Sequence, residues 1–248
     1  MTTLKKEPTT ELVTVDPKVL AEINSLGGGQ SMTPKLPQFK LEHTTDGVGE
    51  ANPLKSHFTL SKPNDLGEYV KTDLGEKVKA QILKQRYCLD MTKGDVRYTS
   101  KEFDNNDDIV RLYQSTGQGE NRSSTLYSEG TPFELGKNFL VKNTKGQTYS
   151  ELMVKFVLYM IVGDEIVRWK LNSSGSVAYK GYARRVKPFV VITELTREED
   201  KKGANKYYRP VFTAVEKLTD FRKILDEQKS LNELVLMQQP AVHEESKE

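Results

Sequence analysis

Residues 152–171 read LMVKFVLYMIVGDEIVRWKL. Two apolar runs flank Gly163-Asp164, a dipeptide suited to a tight turn between antiparallel strands, and the second run alternates residue by residue. Ile166, Arg168 and Lys170 then share one face, while Val167, Trp169 and Leu171 share the other. The stretch predicts a β-hairpin with an apolar inner side and a charged outer side.

The segments around it have the same character. Runs at 39–41, 57–60, 78–91, 96–99, 109–113 and 138–141 are short, and Gly, Pro, Asn and Asp clusters separate them. Further strands are expected at 177–186, 189–195 and 207–215, with Lys187-Pro188 as a break and residues 196–206 as a long charged hairpin loop. Leu218, Phe221, Leu225, Leu231, Leu234 and Val235 fall at helical spacing, with Thr219 as a cap and Pro240 as a stop. Three regions follow: a flexible arm over 1–35 ending in the Gly27-Gly28-Gly29 hinge, a β-rich body with a closing helix over 36–237, and an acidic tail over 238–248. The expected fold class is mainly β, an antiparallel sheet or barrel.

Composition narrows the function classes. The chain has 248 residues, of which 36% are hydrophobic and 29% charged, enough for a buried core. No run reaches the roughly 18 apolar residues that span a bilayer, and no apolar signal core follows Met1, so the expectation is a cytoplasmic protein that contacts no membrane. One cysteine, Cys88, excludes an intramolecular disulfide framework. It sits in a strand-like run and reads as a small half-buried residue rather than a reactive thiolate. His43, His57 and His243 show no metal-ligand spacing, and the acidic run 104–108 lacks the order of a calcium loop. Neither Gly27-Gly28-Gly29-Gln30-Ser31 nor Gly117-Gln118-Gly119 completes a phosphate-binding motif. Catalytic residues, metal ligands and cofactors are therefore not expected.

The net charge of +2 conceals a segregation. Residues 166–193 contain no acid, and 165–217 hold twelve bases against six acids. Arg168, Lys170, Lys180, Arg184, Arg185 and Lys187 alternate there with Trp169, Tyr179 and Tyr182, and Tyr207 and Tyr208 follow. If 177–186 is a strand, Lys180, Tyr182 and Arg184 share a face. Cations for phosphates beside rings for bases are what a single nucleic-acid strand requires, with stacking worth about 1–3 kcal/mol per base. These eleven residues are the candidate nucleic-acid-binding set. The bland alternative is that Trp169 is core and the lysines solvate outer strand faces.

The segments 34–41 (PKLPQFKL), 81–87 (QILKQRY) and 99–104 (TSKEFD), taken with the basic aromatic hairpin region, resemble bacteriophage and mobile-element single-stranded DNA-binding proteins with an OB-like barrel. The resemblance covers the general layout of 34–216. It implies an elaborated OB-like fold and a noncatalytic protein that protects single-stranded DNA during replication or recombination. The acidic tail is then a contact for replication proteins, and a homo-oligomer is compatible with this organisation. Two rivals remain: a structural or assembly component of a virion or scaffold, and a metal-dependent nuclease drawing on Glu151, Asp164 and Glu165.

Overall fold

The hairpin at 152–171 is the centre of a large sheet. In the computed structural model, residues 36–43, 53–63, 69–117, 123–202 and 205–237 are described; the expected arm, glycine hinge and acidic tail lie outside the described residues. The strands are β1 (Gln38–Leu41), β2 (Phe58–Pro63), β3 (Tyr69–Gly75), β4 (Val78–Lys93), β5 (Val96–Ser100), β6 (Val110–Thr116) and β7 (Ser123–Gly130). After helix α1 (Pro132–Lys137) come β8 (Leu140–Lys142), β9 (Thr148–Ser150), β10 (Met153–Val162) and β11 (Glu165–Lys170). Helix α2 (Ser173–Ala183), a 3-10 turn, β12 (Val191–Lys202), β13 (Asn205–Lys217) and helix α3 (Phe221–Met237) complete the order. Residues 35–234 form one compact unit.

Neighbouring strands run β3-β2-β1-β11-β10-β4-β5-β6-β7, and β12 joins β4 to β13. All pairs in this sheet are antiparallel except β1 with β11, which meet in parallel at a single position, Gln38 opposite Arg168. The 16-residue β4 is the organising strand. One of its edges carries β10 from Gln81 to Asp90. The other carries β12 over Val78–Gln81 and β5 over Asp90–Lys93. Between those two partners, Tyr87 forms a bridge with Phe103, and the Gln228 side chain of α3 donates to the Leu83 carbonyl at 2.8 Å. Among the described residues the sheet does not close on itself, so the fold is mainly β with a carboxy-terminal helix and an open sheet.

Packing follows strand parity. Trp169 enters the core between Phe39, Phe58 and Phe212, at ring separations of 5.0, 6.1 and 5.7 Å, so four strands converge on one indole. A second cluster gathers Leu89, Met91, Phe103, Leu112, Leu135 and Phe139 beneath β4 to β6 and α1. No helix among the described residues is long and apolar enough to cross a membrane.

Three local expectations are corrected. The segment 177–186 lies mostly in helix α2 and its C-terminal turn, not in a strand: Asn172 caps it by accepting the Gly175 N–H at 2.7 Å, and Ser176, Tyr179 and Tyr182 form its buried stripe. The polar and aromatic alternation that suggested period two is equally a three-residue repeat of buried positions. Residues 196–206 are not a loose loop, because paired strand extends to Lys202 opposite Asn205. In α3 the Asp220 carboxylate, not Thr219, accepts the Lys223 N–H at 3.0 Å.

Gly175 gives a direct check on α2. A Cβ there would lie 2.9 Å from the capping Asn172 oxygen and 3.3 Å from Pro210 on β13. Although Ala is the better helix former, Gly175→Ala is expected to cost a net of about 1 kcal/mol by displacing the cap and the strand contact. The thermal midpoint should fall by about 2–4 °C. An unchanged or raised midpoint would contradict this packing.

Candidate nucleic-acid interface

Alternation in β11 sends Val167 and Trp169 inward and brings Arg168 and Lys170 out on the opposite face of the sheet. The antiparallel register sets Tyr159 of β10 beside Arg168 and Val157 beside Lys170. On β4, Arg86 lies opposite Val157 and Cys88 opposite Lys155. The result is a layer of long cationic side chains over the outer side of three strands, with Arg97 added from β5.

Two carboxylates hold this layer. Asp90 takes the Lys155 ammonium at 2.6 Å, the Lys170 ammonium at 3.1 Å and the Arg97 guanidinium at 3.1 Å. Glu102 accepts Arg168 Nε at 2.7 Å and the Tyr159 hydroxyl at 2.6 Å, with Arg86 at 3.8 Å. Glu102 reaches this position because its neighbour Phe103 is anchored: its backbone exchanges 2.9 Å bonds with Tyr87, and its ring stacks on Tyr87 at 5.8 Å. Asp104 assists at the edge, 3.1 Å from Arg86 Nε. Burial alone would raise the Asp90 carboxyl, but the hydrogen bond from Lys155 and the charges of Lys170 and Arg97 outweigh it and hold the group at about 2. Burial, reinforced by Glu102, pushes the Tyr159 hydroxyl well above its ordinary range. Five cations thus meet three carboxylates, the largely buried Asp90 and Glu102 and the more exposed Asp104, which leaves positive charge on this face for a further anion to neutralise.

The other candidates are placed differently. Trp169, Tyr179, Tyr182 and Tyr208 have 4, 0, 3 and 9% of their surface exposed and offer no open face to a base. Two of the hydroxyls are satisfied internally: that of Tyr179 donates to Gln85 at 3.1 Å, and that of Tyr182 pairs with Thr193 at 2.8 Å. Arg197 covers the Tyr208 ring at 5.3 Å. Tyr207 is half-buried and donates to Asp200 at 3.0 Å. Lys180, Arg184, Arg185 and Lys187 are exposed and form no ion pair among the described residues. They surround the carboxy-terminal end of α2, a helix that packs through Tyr179 and Tyr182 against the inner side of the sheet. The expected single trough is therefore two separate basic regions on opposite sides of the sheet, and four of its five stacking rings, all but Tyr207, are core residues.

Arg86, Arg97, Lys155, Tyr159, Asp90 and Glu102 belong to the outer layer without having been singled out from the sequence. Strand parity across 78–91 already puts Arg86, Cys88 and Asp90 on one face, but their meeting with 155–170 depends on strand order. Cys88 is fully buried where a half-buried position was expected, and burial pushes its thiol up. Glu151 and Asp164 stand at opposite ends of the ten-residue β10, on the order of 30 Å apart, so these two with Glu165 do not converge on one ion.

Comparison of the chain with protein-family models, with curated proteins and with solved structures finds no match.

Proposed function

We propose that the chain binds single-stranded DNA across the outer face of β4, β10 and β11, without sequence preference and without catalysis. The observation that carries this reading is the cation excess of that face: Arg86, Arg97, Lys155, Arg168 and Lys170 against Asp90, Glu102 and Asp104. A phosphodiester chain is the natural complement to a row of cations that the protein's own carboxylates neutralise only in part.

The order of elements supports an OB-like interpretation of the sheet. β4 pairs with β10 on one edge and with β12 on the other, and β10, β11, α2, β12 and β13 follow in chain order. Five strands with a helix between the third and fourth make up an OB barrel, which is often partly open. Oligonucleotides lie on the face of its second and third strands, between the loops joining strands one to two and four to five. Under this correspondence β10 and β11 are the second and third strands. The β12–β13 tip with Lys201 is the four-five loop, and the long insertion between β4 and β10 is the one-two connection. Protection of single strands in the replication or recombination of a phage or mobile element is the setting this reading suits.

Fluorescence anisotropy with labelled single-stranded and duplex oligonucleotides, with and without magnesium, tests it. The single strand is expected to bind more tightly than the duplex and to remain uncut. If the five cations each release a counterion, affinity should drop roughly a hundredfold between 50 and 200 mM salt. Absence of single-strand binding at the lower salt would end the proposal, and magnesium-dependent cleavage would convert it into an enzyme reading.

A further inference from the structure

The outer face does not end at β5. Pairing runs from Asp90 of β4 to Thr99 of β5, from Thr99 to Tyr113 of β6, and from Tyr113 to Leu126 of β7. Residues directly opposite one another in neighbouring strands point to the same side, so Tyr113 and Leu126 stand on the side of Asp90 and the cationic layer. At about 4.8 Å per strand, the Tyr113 backbone lies about 10 Å from that of Asp90, and Leu126 about 14 Å.

Neither side chain is taken up by the core. Tyr113 is half-buried yet belongs to neither buried cluster, and Leu126 is 55% exposed. The inner side of the same strands is different: Tyr98 of β5 packs against Phe139 at 4.9 Å and Tyr127 at 5.1 Å. Among the described residues no aromatic ring packs on Tyr113.

Cations flank the Tyr113 ring. Arg97 pairs with Ser115, two residues beyond it on β6, and Arg111 lies two residues before it. Side chains two apart on a strand share a face and stand about 7 Å from each other. Arg97 meets Asp90 through Nε and keeps 46% of its side chain exposed. Arg111 meets Glu129 at 2.8 Å in an exposed pair, which a phosphate can displace at little cost, and it also interacts with the Tyr113 hydroxyl. A phenol ring between two arginines, with an open leucine beside it, suits one base and the phosphates on either side of that base.

We infer that Tyr113 is a stacking platform for a base of the bound strand, whose path leaves β4 and continues over β5 and β6. The inference rests on the strand-binding reading. It supplies the base contact that the buried Trp169, Tyr179, Tyr182 and Tyr208 cannot, and it places that contact in the insertion between β4 and β10.

Anisotropy at 50 mM salt, with oligothymidylate and with an abasic strand of the same length, tests it. Tyr113→Leu keeps apolar bulk in the strand; it should raise the Kd for oligothymidylate about tenfold, the loss of one stacked base, and leave the abasic strand within twofold. Tyr113→Phe keeps the ring and should stay within twofold of the parent on both. Neither variant removes a charge, so the salt slope should not change. On the parent itself, a strand carrying bromouracil should cross-link to Tyr113 on irradiation. Equal weakening of both strands by Tyr113→Leu, or a Tyr113→Phe variant as weak as Tyr113→Leu, would overturn the platform. So would cross-links confined to β10 and β11. Undiminished binding by Tyr113→Leu would remove the platform and leave the strand reading in place, whereas absence of binding by the parent would overturn both.

Discussion

Asp90→Asn should lower stability at pH 7 by about 3 kcal/mol, one of the largest losses for a single atom exchange in this chain. Asp90 is 7% exposed and is the shared partner of Lys155, Lys170 and Arg97. An amide cannot balance three cations, and the side chain that replaces the carboxylate leaves them facing one another. The pH dependence gives a sharper signature. Because the folded carboxyl titrates at about 2 and an unfolded one near 3.9, ionised Asp90 stabilises the fold above pH 4, by about 2–3 kcal/mol. That contribution is lost as pH falls from about 4 to 2. The gap in midpoint between parent and variant should therefore be about 6–12 °C at neutral pH and should narrow through that acid window. Glu42 also titrates at about 2, where Lys71, Thr59 and Lys40 overcome the effect of burial, so the parent alone does not isolate Asp90. A midpoint within 2 °C of the parent at pH 7, or a gap that stays constant down to pH 2, would reject the assignment.

The second large effect concerns which of the two basic regions meets the strand. Lys155→Gln with Lys170→Gln removes two cations from the β10–β11 face. If both neutralise phosphates, affinity for a single strand should fall about twentyfold near 0.1 M salt, and the salt slope should flatten by about 1.4. Arg184→Gln with Arg185→Gln removes the same charge from the end of α2 and is expected to leave affinity within about twofold, since screening reaches only about 10 Å at this salt. Melting curves for both pairs guard against a trivial loss of fold. The reverse outcome, with the α2 pair impaired and the β10–β11 pair intact, would move the interface to the helix and remove the face argument.

Much of the fold is legible in the sequence because strand parity is a local property. The hairpin at 152–171, the inward side of Trp169 and the outward Arg168 and Lys170 all follow from period two around a Gly163-Asp164 turn. What was not legible depends on non-local pairing. Nothing near Arg168 in the chain indicates Glu102, which arrives because Phe103 pairs with the far edge of β4. Asp90 meets Lys155 and Lys170 only because β10 and β11 stack in order beside it. The segment 177–186 is ambiguous for a local reason: Lys180, Tyr182 and Arg184 alternate as a strand face would, while Ser176, Tyr179 and Tyr182 recur every three residues as a helix face does once Asn172 supplies a cap. That single exchange of element type sent Tyr179 and Tyr182 into the core and separated Lys180 and Arg184 from Arg168.

The central edge of β4, between β12 and β5, is left by the sheet without a full strand neighbour, and α3 lies there. Gln228 satisfies the Leu83 carbonyl, Gln81 donates to Glu227 at 2.6 Å, and Lys84 reaches Asn232 at 2.9 Å. The Gln228 amide stands in for a backbone donor on this edge, and the two side-chain pairs fasten the helix over it. The helix thereby works as a stopper, denying passing chains a foothold on the longest strand of the molecule while the opposite edge carries β10.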